Sequence, residues 1–161
     1  MKKLVLIAEE GERHMAEEYF PGVPVLVTGV GALNVMRATR SLPLDTEIIN
    51  IGYAGSSNFE IGTMVEVTEV RLNHPNVNYP EPKYQLSTVY GFADGKSCQL
   101  PTVKAVCYTG VDFCLQSDYT DCVFDMELAF ICGMGFKHVS ALKYVSDNLS
   151  LHEYREVGSG V

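Results

Sequence analysis

Short apolar runs alternate with longer amphipathic stretches through the first third of the chain. Leu4 to Ala8 is a continuous apolar run, and Glu9 to Phe20 is a polar stretch with helical spacing. Val23 to Thr28 is apolar and β-branched and ends at Gly29-Val30-Gly31. Ala32 to Ser41 has the period of a helix, with Leu33, Val35-Met36 and Ala38-Thr39 as its expected inward stripe and Pro43 as its stop. Glu47 to Ile51 is a third strand, closed by Gly52-Tyr53-Ala54-Gly55. Apolar strands that end in glycine and alternate with helices predict a sheet covered on both faces. The expected fold is α/β, three-layer αβα with a central mixed β-sheet.

The middle of the chain has a different texture. Ile61 to Val70 has strand character with Glu66 and Glu69 interleaved, and Leu72 to Pro101 is rich in Asn, Pro, Tyr and Gly without a sustained helical period. That stretch reads as irregular β-hairpin and loop. Alternation returns with a strand at Val103 to Tyr108, a short helix at Val111 to Gln116 and a strand at Cys122 to Phe124. A helix from Met126 to Met134, a long strand from His138 to Val145 and a short helix within Asn148 to Val161 follow. No repeat, low-complexity segment or linker divides the 161 residues, so 1–161 is expected to form a single domain.

Composition narrows the function classes. Apolar residues make up 47% and charged residues 20%, as in ordinary globular chains. No apolar run approaches the roughly 18 residues a membrane helix needs. Met1-Lys2-Lys3 before Leu4 to Ala8 superficially resembles a signal peptide, but the run is short and Glu9-Glu10 follows without a small-residue cleavage site. A formal charge of −8 argues against a nucleic-acid partner, whose phosphates need a basic face. Cys98, Cys107, Cys114, Cys122 and Cys132 are odd in number and contain no C-x-x-C pair, which fits a reducing, cytoplasmic setting. His14, His74, His138 and His152 are scattered, so neither a metal nor another cofactor is expected.

Candidate chemistry gathers at the strand ends, where open α/β sheets bind ligands. Gly29-Val30-Gly31 is not a dinucleotide fingerprint, because the third glycine and the following acidic residue are missing. Asp125-Met126-Glu127 lies between an apolar strand and an apolar helix, and Asp147 follows Tyr144-Val145-Ser146 at the end of another strand. A charge at such a junction must pair or face a polar cavity. Two carboxylates at neighbouring strand ends suit N-glycosidic chemistry, one holding sugar hydroxyls and the other, protonated, donating to the departing base. Helix capping by Asp125 and Asp147 explains the same residues equally well at this level.

Several segments share the order of a known family. Val27-Thr28-Gly29-Val30-Gly31 with Asn34, Ile49 to Gly55 and Ile61-Gly62 resemble the first half of the purine nucleoside phosphorylase and methylthioadenosine/S-adenosylhomocysteine nucleosidase superfamily. Thr109 to Phe113, Asp125 to Ala129 and Val145-Ser146-Asp147 resemble its second half. The resemblance implies that Phe113 stacks on a purine, with Cys114 lending backbone contacts, and that Met126 packs beneath the ribose. It implies that Glu127 grips the ribose hydroxyls, that Gly55 lies at the substrate-binding strand end, and that Asp147, oriented by Ser146, protonates the purine at N7. Glu12 is the best match for the acid that activates water, with Glu9 and Glu10 as competitors.

Hydrolysis or phosphorolysis depends on the nucleophile's site. A phosphate dianion wants arginines at the ends of the first and third strands, and neither Ala8 to Glu12 nor Asn50 to Gly52 contains one. Arg13, Arg37 and Arg40 are expected on solvated helix faces. Cleavage of an adenine nucleoside by water is therefore the expected activity, with a phosphate-dependent phosphorylase and a non-catalytic nucleoside-binding protein as alternatives. A homodimer is the expected assembly, with a small-molecule nucleoside as ligand and no nucleic acid or membrane as partner. Three features depart from the family pattern: the short chain, Tyr53 in place of a small residue, and Leu128 in place of a small residue after Glu127.

Overall fold

The computed structural model describes residues 2–73, 82–89, 101 and 103–158. Strand β1 (Lys3–Ile7) leads through a 3-10 turn (Glu10–Glu12) into α1 (Arg13–Tyr19), then β2 (Val25–Val27) and α2 (Ala32–Thr39). The long strand β3 (Glu47–Gly55) precedes β4 (Met64–Leu72), β5 (Lys83–Gln85), β6 (Val103–Thr109) and β7 (Cys122–Asp125). Helix α3 (Leu128–Gly133), strand β8 (His138–Asp147) and helix α4 (Leu151–Gly158) complete the order.

All eight strands belong to one mixed sheet. Strand β3 lies parallel to β1 on one side and to β8 on the other. Strand β8 pairs antiparallel with β4, which runs parallel to β6, and β6 runs parallel to β7. A bridge between Gly55 and Phe124 returns β7 to β3, so these five strands form a closed ring. Strands β2 and β5 flank it on β1 and β4.

Strict alternation along the buried strands makes the three layers. Leu4, Leu6, Ile48, Val139 and Ala141 face one apolar cluster, which is completed by Val35 of α2 and by Leu128, Ala129 and Ile131 of α3. Val5, Ile7, Ile49, Ile51 and Leu142 face the opposite cluster with Met15, Ala16 and Tyr19 of α1, and Tyr154 and Val157 of α4 pack against it. Successive side chains of a strand point to opposite faces, so an unbroken apolar run is what a doubly covered strand requires. Leu128, bulkier than the family pattern, is absorbed as a fully buried anchor of α3.

Four local expectations need correction. The inward stripe of α2 consists of Val35 and Thr39, whereas Leu33 and Met36 are 67% and 51% exposed. The third strand does not stop at Ile51 but continues through Gly52 to Gly55, because β8 pairs with it along its whole length. Residues 111–116 form no helix; the segment runs irregularly, with Val111 and Leu115 exposed and so without a buried stripe to anchor a helix. The helix expected from Met126 begins at Leu128, which leaves Met126 and Glu127 in the strand-to-helix turn. Most of the Leu72 to Pro101 stretch, with Cys98 and His74, lies outside the described residues, apart from the end of β4, the short strand β5 and its flanks.

No helix among the described residues is long and apolar enough to cross a membrane.

Candidate active site

The carboxyl ends of β1, β3, β7 and β8 meet around a cavity of about 270 Å³. Glu12, Gly55, Phe113, Cys114, Met126, Glu127, Ser146 and Asp147 all line it. Glu9, Val30, Tyr53, Phe124, Asp125 and Tyr154 share the lining, and no Lys, Arg or His among the described residues does. Glu10 lies outside, exposed and paired with Arg13, while Arg37 and Arg40 are exposed on and just beyond α2.

The 3-10 turn after β1 folds Glu12 back over the strand ends. Its Oε1 accepts the backbone N–H of Ala8 at 2.7 Å and of Glu9 at 3.2 Å, and its Oε2 accepts the N–H of Tyr53 at 2.8 Å. The carboxylate is buried, and desolvation pushes its pKa up against those three hydrogen bonds and the charge of Lys143. A carboxylate oxygen holds two lone pairs, so Oε2 keeps capacity for a further donor. Tyr53, the departure from the family pattern, reaches past Glu12 and donates its hydroxyl to the carbonyl of Gly11 at 3.1 Å.

Asp147 ends β8 at a bulge, where the pairing with β3 slips between Ala54 and Gly55. Ser146 donates to its Oδ2 at 2.7 Å, and the N–H of Leu149 donates to Oδ1 at 2.9 Å. Capping of α4 falls to Ser150, whose Oγ accepts the N–H of Glu153 at 3.3 Å. Asp147 therefore braces the turn before α4 while lining the cavity. Burial pushes its pKa up, opposed by Ser146 and the turn's amides.

Glu127 is buried beside a second carboxylate. Its Oε2 accepts the N–H of Gly31 at 2.9 Å, from the glycine loop after β2, where Gly31 has φ +88°. Desolvation first, and then repulsion from Asp125, raise its pKa to about 8. Asp125 accepts from the Thr109 hydroxyl and, at 2.9 Å, from the N–H of Leu128, so it holds the first amide of α3 while facing the cavity; the N-cap position itself is taken by Glu127. Its Oδ2 lies 3.0 Å from the Nζ of Lys143, an ammonium that is 1% exposed. Against the cost of burial, Lys143 and the hydrogen bond from Thr109 hold Asp125 below its ordinary pKa. Burial disfavours the charge of Lys143, but Asp125, Cys107, Glu127 and Glu12 together outweigh it and keep the amine protonated.

Aromatic side chains supply the remaining walls. Phe113 and Cys114 are half-buried on the irregular segment after β6. Tyr154 of α4 meets the edge of Phe113 with ring centroids 5.5 Å apart, and it contacts Tyr53 at 6.3 Å. The Tyr154 hydroxyl donates to Glu9. Sequence reasoning missed Lys143 and Tyr154. Lys143 had a signal, because a lone ammonium in an apolar strand must find a buried anion. Tyr154 had none, since its position depends on how α4 folds back over the sheet. Among the described residues no group of three or more His, Cys, Asp or Glu side chains is placed to hold a metal ion.

No family model and no curated relative matches the chain. Solved structures do. A methylthioadenosine/S-adenosylhomocysteine nucleosidase from Chlamydia trachomatis superposes with a TM-score of 0.74 at 19% identity, covering 98% of this chain and 90% of that one. The nucleosidase from Colwellia psychrerythraea, in complex with adenine, gives 0.72 at 17% identity and covers 98% and 88%. That from Neisseria meningitidis, in complex with methylthio-immucillin-A, gives 0.71 at 18% and covers 98% and 92%. The likeness spans nearly the whole of each chain, and the protein has the fold of the methylthioadenosine/S-adenosylhomocysteine nucleosidases.

Proposed function

We propose that the protein hydrolyses the N-ribosidic bond of an adenine nucleoside of the methylthioadenosine or S-adenosylhomocysteine type. The observation that carries this reading is the convergence of Glu12, Glu127, Asp147 and Phe113 on one cavity that no cation among the described residues lines. Phe113 stacks on the base, Cys114 and Gly55 lend backbone contacts, and Met126 packs against the ribose. Glu127 binds the ribose hydroxyls and, once ionised, stabilises positive charge developing on the sugar. As the bond from C1′ to the base breaks, its electron pair moves onto the base and Asp147 gives its proton to N7. Water attacks C1′ and loses its proton to Glu12, leaving free base and free sugar. A dianionic phosphate in the same place would face the carboxylates of Glu9 and Glu12, which argues for water over phosphorolysis.

Adenine release from methylthioadenosine, S-adenosylhomocysteine and adenosine, assayed with and without phosphate, tests the reading. Release that is independent of phosphate and abolished in Asp147→Asn is expected. A strict phosphate requirement would instead assign a phosphorylase. A second reading, a nucleoside-binding protein without turnover, draws on Tyr53, whose phenol stands beside Glu12 where the family carries a small residue. Binding without base release from any of the three nucleosides would select it. We further propose a homodimer, on the exposed apolar side chains of Leu33 and Met36 on α2, which a second copy would cover.

A further inference from the structure

The roles above leave one polar stretch of the cavity wall unused. Glu9 and Tyr154 line the cavity, and the Tyr154 hydroxyl donates to the Glu9 carboxylate. The Tyr154 ring touches Phe113 on one side and Tyr53 on the other, so this wall runs from the base end to the turn that carries Glu12. In the proposed reading, a ribose held between Phe113 and Glu12 with its ring hydroxyls on Glu127 would turn its remaining exocyclic carbon, C5′, along that wall. Resting on the nucleosidase reading, we infer that Glu9 and Tyr154 form a subsite selecting nucleosides whose 5′ substituent presents a hydrogen-bond donor, a hydroxyl or an ammonium, over those ending in an apolar thioether.

The chemistry is that of an acceptor wall. A carboxylate accepts several hydrogen bonds, of which the Glu12 amide and Tyr154 supply one each; the phenol oxygen, while its O–H donates to Glu9, can itself accept. The Tyr53 hydroxyl is committed to Gly11, and among the described residues no lining cation competes for Glu9. A hydroxyl or ammonium from the ligand replaces the water that Glu9 loses on binding. A methylthio group strips that water and returns nothing, which leaves a half-buried carboxylate short of donors. Sites built around a hydrogen-bonding group discriminate far more strongly than apolar pockets sorting by size.

The test compares kcat/KM for adenosine, 5′-amino-5′-deoxyadenosine, 5′-deoxyadenosine and methylthioadenosine, with calorimetric binding of the same four compounds. The two donor-bearing nucleosides are expected to lead the other two by about 10-fold or more. Glu9→Leu should bring the ratio to unity or invert it, while Tyr154→Phe, which removes one acceptor and keeps the ring and the carboxylate, should lower it by less. A parental enzyme with no donor preference, or an unchanged ratio in Glu9→Leu, overturns the subsite. Donor-selective binding without turnover would overturn the nucleosidase reading and leave the subsite standing.

Discussion

Glu12 lies directly across the α-carbon of Gly52: a β-carbon built there would sit 2.5 Å from Glu12 Oε2 and 3.1 Å from its Cδ. The strand β3 thus carries a glycine at the one place where the carboxylate must approach the sheet to collect the amide of Tyr53. Gly52→Ala is expected to push the Glu12 carboxylate off its three amides while leaving the strand intact, since the clash is with the far end of a flexible side chain. Turnover should fall about 100-fold or more, in the range of losing a positioned base. Stability in urea should change by only about 1–2 kcal/mol, as for ordinary point substitutions. Parental kcat in Gly52→Ala would show that catalysis does not need Glu12 at this position.

Lys143 pairs across the strands with Gly52, so it points to the same face as Glu12 and reaches Asp125 beneath the cavity. Lys143→Met keeps the apolar stem and removes the ammonium, stranding Asp125 as a buried anion. Breaking a buried pair from one side costs about 3–5 kcal/mol. Urea unfolding should report a loss of that size, and adding Asp125→Asn to Lys143→Met should recover part of it. A loss below about 1 kcal/mol in the single variant would mean that the pair contributes little to the fold.

The elevated pKa of Glu127 makes stability depend on pH in a stated direction. Its folded value, about 8, lies above the ordinary 4.5, so between those values the folded state holds a proton that the unfolded chain has released. Its share of stability is complete below about pH 4.5, falls as pH rises toward 8, and is lost above that, with a limiting slope of about 1.4 kcal/mol per pH unit. Glu12 and Asp147, also raised, act in the same direction. Denaturation midpoints measured from pH 5 to 9 should decline, and Glu127→Gln should flatten the decline. An equally steep decline in that variant would place the titrating group elsewhere.

How much of this was legible in the chain differs from element to element. The apolar runs of β1 and β2 and the largely apolar β3 announced a doubly covered sheet, because burial on both faces leaves little room for polar alternation. The acidic residues at strand ends marked the site, since a charge in that position needs a partner or a cavity. Other features depended on tertiary contacts that no local pattern encodes. Leu33 and Met36 have the spacing of an inward stripe, yet α2 packs through Val35 and Thr39. The continuation of β3 past Gly52 follows from its pairing with β8, and the closure onto β7 from one bridge at Gly55. Tyr154 reaches the cavity only because α4 folds back over β8, which separates it from Glu9 by most of the chain.

Ser146 and Asp147 are adjacent in sequence and in chemistry, and the bulge against Gly55 is what lets both line the same cavity. In a regular strand neighbouring side chains point to opposite faces. Here the Ser146 hydroxyl donates to Asp147 Oδ2 at 2.7 Å, which favours the ionised carboxylate and restrains a pKa that burial raises. If Asp147 is the acid that protonates the base, kcat falls as pH rises through its pKa. Ser146→Ala removes the stabilising donor, so the pKa should rise and the alkaline limb of kcat should move to higher pH. The plateau should fall by about 10-fold as the carboxyl loses its orientation, within the lower range for general acid catalysis. A pH–rate profile of Ser146→Ala against the parent reads both effects at once. A lower plateau with an unmoved limb would assign Ser146 to packing alone and transfer the alkaline limb to a group other than Asp147.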